Sequence, residues 1–180
     1  MEFLKTFSVL LLDVDGVWFA GEETRVVDAA GAVYIAKTRD LQDGQGLSFL
    51  RALGIIVGFL NGESEPLKSI VEKINTLPSV KAGDWKPVSF VGGKSVVDIE
   101  TWLAAHGVSW SDCVYVGDDR DDIEGMKKAA FVVIPANARR CVFPHAHLHL
   151  EARGGKGAVR ELAEKVLDAR GINEAVLSAS

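Results

Sequence analysis

Residues 7–17 read Phe-Ser-Val-Leu-Leu-Leu-Asp-Val-Asp-Gly-Val. The apolar run 7–12 is too short for a helix and stops abruptly at acids, as a strand buried on both faces of a parallel sheet does. Working outward, similar runs recur at 55–60, 88–91, 113–116 and 131–134, with a short sixth at 147–150. Helical patterns separate them. Leu47, Leu50 and Leu53 share one side of 43–53, and Ser64 is placed to cap a helix carrying Leu67, Ile70, Val71 and Ile74. Further helices are expected at 95–105, closed by Gly107, at 122–129, and at 157–169 with Val159, Leu162, Ala163 and Val166 on one face. Strand–helix alternation predicts an α/β fold, a three-layer, Rossmann-like, mostly parallel sheet. Residues 17–37 break the pattern. Turn signals at Ala20-Gly21 and Ala30-Gly31 flank β-rich pieces, which predicts a β-hairpin inserted after the first strand. Residues 1–171 read as a single domain and 172–180 as a loose tail.

The 180 residues are 48% hydrophobic, enough for one full core. A net charge of −5 argues against nucleic acid as a partner, because phosphate backbones select clustered Lys and Arg. Any anion site must therefore be built locally. No apolar run approaches membrane-spanning length, and residues 1–12 lack a small-residue cleavage site, so the expected location is cytoplasmic and off the membrane. Cys113 and Cys141, both with apolar flanks, are expected to be buried thiols.

In open α/β sheets, ligands bind beyond the carboxyl ends of the strands. The first strand delivers Asp13-Val14-Asp15-Gly16-Val17 to that edge, and the second delivers Asn61-Gly62-Glu63-Ser64. Lys94 follows the third across Gly92-Gly93, and Gly117-Asp118-Asp119-Arg120-Asp121-Asp122 follows the fourth. Carboxylates converging from several strand ends repel one another, and a hard divalent cation with oxygen ligands, Mg²⁺, resolves the repulsion. A metal and an ammonium together neutralise a phosphoryl group, and a carboxylate in line completes phosphoryl transfer through an acyl phosphate. Asp13 is the candidate nucleophile. Asp15, redirected by a turn at Gly16, is the candidate to protonate the leaving oxygen and later activate water. Each motif alone is an ordinary turn or surface charge; their placement at successive strand ends sets them apart.

Three other features are expected to be structural or solvated. His145, His147 and His149 alternate along a short strand and lie too far apart to close on one ion. Lys127-Lys128 and Arg139-Arg140 read as solvated surface charge, and Trp85, Trp102 and Trp110 as packing or interface residues. Trp18, at the start of the hairpin, fits packing and substrate or subunit contact equally well.

Asp13-Val14-Asp15-Gly16-Val17, Lys94 and Gly117-Asp118-Asp119 resemble the motifs of the haloacid dehalogenase (HAD) phosphatases. The resemblance runs along almost the whole chain to the capless sugar-acid phosphatases, those acting on octulosonate 8-phosphate and nonulosonate 9-phosphate, and to the phosphatase domain associated with acylneuraminate cytidylyltransferases. Asp43-Gly44-Gln45-Gly46, Pro135-Ala136-Asn137-Ala138 and the stretch from Arg153-Gly154-Gly155-Lys156-Gly157 to Glu161 carry it further. It implies a HAD-like sheet with a hairpin flap and no cap domain, a Mg²⁺ cofactor, a small phosphorylated 2-keto-3-deoxy sugar acid as substrate, and a homotetramer whose neighbouring subunits help close each site. Residue by residue it implies Asp13 as nucleophile and Asp15 as acid/base. It assigns Asp13, Asp15 (through its carbonyl) and Asp118 to the metal, and Asp119 and Asp122 to their support. It further implies that Asn61, Gly62 and Lys94 bind phosphate and that Glu63, Gln42 and Lys156 contact substrate. Asn61 stands where the family has a hydroxyl residue and Gln42 where the octulosonate enzymes have Arg; Glu63 is similar to the nonulosonate branch. Two other readings stay open: a catalytically weak or inactive binding or assembly module, and a HAD phosphatase with a different small substrate.

Overall fold

In the computed structural model, which describes residues 2–61 and 64–177, six strands form one parallel sheet in the order β5-β4-β1-β6-β7-β8. They are β1 (Val9–Leu12), β4 (Ile56–Phe59), β5 (Val88–Phe90), β6 (Cys113–Val116), β7 (Phe131–Ile134) and β8 (Leu148–His149). β2 (Glu23–Val27) and β3 (Val33–Lys37) form a separate antiparallel hairpin. β1 pairs with both β4 and β6, so the chain leaves the central strand in opposite directions. That makes the carboxyl end of β1 the switch point, where a crevice opens between diverging loops.

The β1 side chains explain the layering. Leu10 and Leu12 join one core with Leu47, Leu50, Leu162 and Val166, beneath α1 (Leu41–Ala52) and α6 (Ala158–Arg170). Val9 and Leu11 join another with Ile99, Trp102 and Met126, beneath α4 (Val96–Ala105) and α5 (Ile123–Met126). Successive strand residues face opposite sides, so a wholly apolar strand needs a helix layer on each, which is the three-layer fold read from the sequence. α2 (Leu67–Asn75) and the short α3 (Pro78–Lys81) complete the β4–β5 crossover.

Helix ends show where local chemistry overrides pattern. Ser95 caps α4, its Oγ accepting from Asp98 N–H at 3.1 Å. Ser64 does not cap α2: that helix starts at Leu67 after Pro66, and Glu65 Oε2 instead accepts from Ser69 N–H and Oγ–H. The expected helix at 122–129 is a 3₁₀ turn, Arg120–Asp122, followed by one α-helical turn. α6 has no side-chain cap of its own. Asp43, buried on α1, supplies one: its carboxylate accepts from Gly157 N–H at 3.1 Å and Arg160 N–H at 2.9 Å. Burial raises the Asp43 pKa, and these amides oppose the rise.

Cys113 is buried, but Cys141 is exposed, contrary to expectation: Arg139-Arg140 precede it, and in the 3₁₀ turn Arg140–His145 only Val142 points inward. Trp18 is fully buried, edge-on to Phe59 at 5.3 Å and under Arg39, so it packs. His147 stacks on Phe131 and accepts from Val132 N–H at 3.0 Å, and His149 meets Phe143 edge-on, both structural roles. Beyond α6, Ile172 and Leu177 pack against the first core, and Glu174 pairs with Arg160. Among the described residues no helix is long and apolar enough to cross a membrane.

Candidate active site

β1 hands Asp13 directly to the switch point. Asp13 N–H still bonds Val116 O at 2.9 Å, so its backbone stays in register with the sheet while its side chain, 2% exposed, points into the crevice. The chain then turns: Gly16 adopts φ +89°, and Phe19 N–H returns to Val14 O. A Cβ on Gly16 would lie 2.1 Å from Asp118 Oδ2, so the glycine is what lets Asp118 approach the Asp13 loop. The turn carries Asp15 outward, where Lys37 Nζ, at the base of the hairpin, donates to both its carboxylate oxygens at 2.7 and 2.8 Å.

Lys94 arrives from β5 over Gly92-Gly93, and its Nζ lies 2.8 Å from Asp13 Oδ1 and 3.2 Å from Asp122 Oδ1. Asp122 is fully buried and saturated. Oδ2 accepts from the Asp118 and Asp119 N–H groups, and Oδ1 from Tyr115 Oη–H and Lys94. Four contacts fill the four lone-pair positions of a carboxylate, so Asp122 ties the β6 loop to Lys94 and has no oxygen left for an ion. Asp119 caps the following turn through Arg120 N–H at 2.6 Å. Both acids thus hold the frame in which Asp118 sits.

Asp13, Asp118 and Asp122 lie within 4.8 Å of one another with one ammonium among them. Burial, and after it this charge imbalance, raises the pKa of both Asp13 and Asp118. Asp13 is pushed up to about 8, first by burial and then by Asp122, with Lys94 opposing. Asp118 is pushed up to about 6, again by burial and then Asp122, with Lys94 opposing. Lys94 is raised: burial works against its charge, and Asp13 and Asp122 outweigh it. Among the described residues, buried Asp13 Oδ2 has no hydrogen-bond partner. An orphaned carboxylate oxygen beside a second carboxylate fits a hard divalent cation. With Asp122 saturated, Asp13 and Asp118 are the side chains that would hold Mg²⁺.

The crevice has two lobes that share Asp13, Asp15, Lys94, Arg120 and Asp121. The first, about 980 Å³, runs past Asn61 and Gly92-Gly93; the second, about 710 Å³, runs past Asp118, Asn137, Arg139 and Arg153. So the structure gathers Asp13, Asp15, Asn61, Lys94, Asp118 and Asp119 around one crevice, with Asp122 beneath it. Gly62 and Glu63 lie outside the described residues. Gln42, on the first turn of α1, and Lys156 are exposed and line neither lobe. Arg139, read from sequence as surface charge, does line it, as do Arg120 and Arg153. For Arg120 and Arg139 the sequence signal was membership of stretches that follow strands at the same sheet edge, and Arg153 also opens the C-terminal stretch that carries the family resemblance.

No family model matches the chain. Over 173 residues it is 26% identical to the 3-deoxy-D-manno-octulosonate 8-phosphate phosphatase of Salmonella typhi, covering 93% of this chain and 82% of that protein. It is 27% identical to N-acylneuraminate cytidylyltransferase B of Danio rerio over 72% of this chain, and spans only 30% of that longer protein. Among solved structures it matches the cobalt-bound deoxy-D-mannose-octulosonate 8-phosphate phosphatase of Haemophilus influenzae with a TM-score of 0.77 and 26% identity, over 94% of this chain and 92% of that one.

Proposed function

We infer that this chain, homologous to the HAD-family phosphatases, hydrolyses phosphomonoesters through an aspartyl-phosphate on Asp13, and that its substrate is a phosphorylated 2-keto-3-deoxy sugar acid. One observation carries the mechanism: a buried carboxylate at the switch point, in contact with one lysine and beside a second carboxylate. The Asp13 carboxylate attacks phosphorus and forms the acyl-phosphate bond as the ester P–O bond breaks. Asp15 gives the departing oxygen its proton, then takes one from the water that attacks the acyl phosphate, which returns Asp13 and releases phosphate. Lys94 supplies a fixed positive charge to the phosphoryl oxygens, and Asn61, with Gly62 proposed beside it, offers donors from the neighbouring strand end. Bound Mg²⁺ adds charge that offsets the phosphoryl group and the carboxylates. The substrate class is suggested by the activity for which the Salmonella relative is named. Phosphate release should be measured on octulosonate 8-phosphate, nonulosonate 9-phosphate and neutral sugar phosphates with Mg²⁺. Release from a sugar acid, lost in EDTA and restored by Mg²⁺, is expected. Release from neutral sugars alone overturns the substrate class; release from none overturns the hydrolase.

We propose a homotetramer in the cytoplasm. The support is the hairpin, whose Val26, Val27, Val33, Tyr34 and Ile35 are all about half exposed or more. Gln42 and Lys156, outside the crevice of one chain, would then meet substrate at subunit junctions, and Glu63 is proposed as a further substrate contact. Light scattering at micromolar concentration should give four times the chain mass; a monomer overturns the assembly.

A further inference from the structure

We propose that Arg120, Arg139 and Arg153, which line the second lobe, determine specificity by gripping a second anionic group of the substrate, a carboxylate, while its phosphate sits at Asp13 and Lys94. This rests on the hydrolase reading above. The three arginines come from three separate loops, and the backbone locks those loops together. Asn137 bridges them: its Nδ2 donates to Gly16 O at 2.8 Å and its Oδ1 accepts from Gly154 N–H at 2.6 Å, next to Arg153. Arg139 N–H donates to Asp118 O at 2.8 Å, and Arg120 N–H to Asp119 Oδ1 at 2.6 Å. The cations are therefore anchored to the same loops that place Asp118 and turn the chain after Asp13.

Their charges are also uncommitted. Among the described residues, neither Arg120 nor Arg153 has an ion-pair partner within 4.0 Å. Arg139 has one, Asp119, at 3.9 Å between two exposed groups, a distance and exposure at which pairs contribute little. By contrast, Arg25 and Arg160 sit in ion pairs of 2.6 Å. The second lobe also presents Glu22, Asp119 and Asp121, which repel an anion except where a guanidinium meets it. Planar guanidinium groups match a carboxylate through paired hydrogen bonds, which gives direction as well as charge. A neutral hydroxymethyl group in the same place would leave the arginines without that partner, so the lobe discriminates between acid and alcohol.

The matched probes are 6-phosphogluconate and sorbitol 6-phosphate, identical except for a terminal carboxylate. Wild type should favour the acid. Arg120→Gln, Arg139→Gln and Arg153→Gln should each lower the acid-to-alcohol ratio of kcat/KM by about tenfold, mainly through KM for the acid, the loss expected for one hydrogen bond to a charged group. All three side chains are exposed, so melting temperatures should stay at the wild-type value. A wild-type ratio near one, or a ratio unchanged in all three variants, overturns the proposal while leaving the hydrolase intact. Absence of turnover on both probes and on p-nitrophenyl phosphate overturns the hydrolase and the clamp with it.

Discussion

Asp13→Asn should abolish turnover, by about three orders of magnitude or more, while making the protein more stable in the absence of metal. The first effect follows from chemistry. The amide keeps the shape of the side chain but is no nucleophile, and removing a covalent nucleophile typically leaves only the small residue of catalysis due to binding. The second follows from burial. Asp13 is 2% exposed, with its carboxyl pushed up to about 8 against a usual value of 3.8. Between those values the native state keeps a proton that the unfolded chain gives up, so wild-type stability falls as pH rises through the window. Asn does not titrate and removes that slope. In EDTA the variant should melt above wild type at pH 8 and close to it at pH 4, and Mg²⁺ should raise wild type more than the variant. Residual turnover near wild type would refute the covalent mechanism. Equal melting at pH 8 in EDTA would mean that the buried carboxylate carries no penalty.

The same buried acid shows what was legible in the sequence. Residues 7–12 read as a strand covered on both sides, and that reading, joined to the strand–helix alternation along the chain, led to the layers, the parallel sheet and the edge at which ligands collect. The acids were legible because they follow such strands directly: Asp13 and Asp118 are each one or two residues past the last ladder pair. What stayed hidden depends on contacts far apart in sequence. Asp43 stands in a stretch read as a family signature, and its work is to cap a helix that begins 115 residues later, as its bonds to Gly157 and Arg160 show. No local pattern encodes that. Ser64 and Ser95 are the same residue type before a helix, yet Glu65-Pro66 delays the first helix and only Ser95 caps. Arg139 looked like surface charge because its exposure is real; its position at the crevice comes from Asn137, which ties its loop to residues 16 and 154.

That tie makes Gly154 a residue on which the crevice depends. Gly154→Ala should destabilise the protein by about 3 kcal/mol or more and lower turnover in whatever fraction remains folded. Gly154 is buried, and a Cβ there would lie 1.7 Å from Gly16 O, 2.4 Å from Gly16 C and 2.8 Å from Val17 Cα. All three are backbone atoms and cannot rotate away as a side-chain tip would. Relief requires residues 153–155 to back off from residues 16–17. That movement pulls on the Asn137 bridge and on Gly155 N–H to Val17 O, 2.8 Å long, and it shifts the turn that places Asp15 and admits Asp118. Gly31→Ala is the matched comparison. Gly31 has φ +85° with nothing within 4 Å of its would-be Cβ, so alanine there meets only backbone strain, about 1–2 kcal/mol. Urea unfolding of both variants, with phosphate release per folded molecule, separates packing from conformation. If Gly154→Ala costs no more than Gly31→Ala and keeps its activity, the close contact between these two loops does not hold the site together.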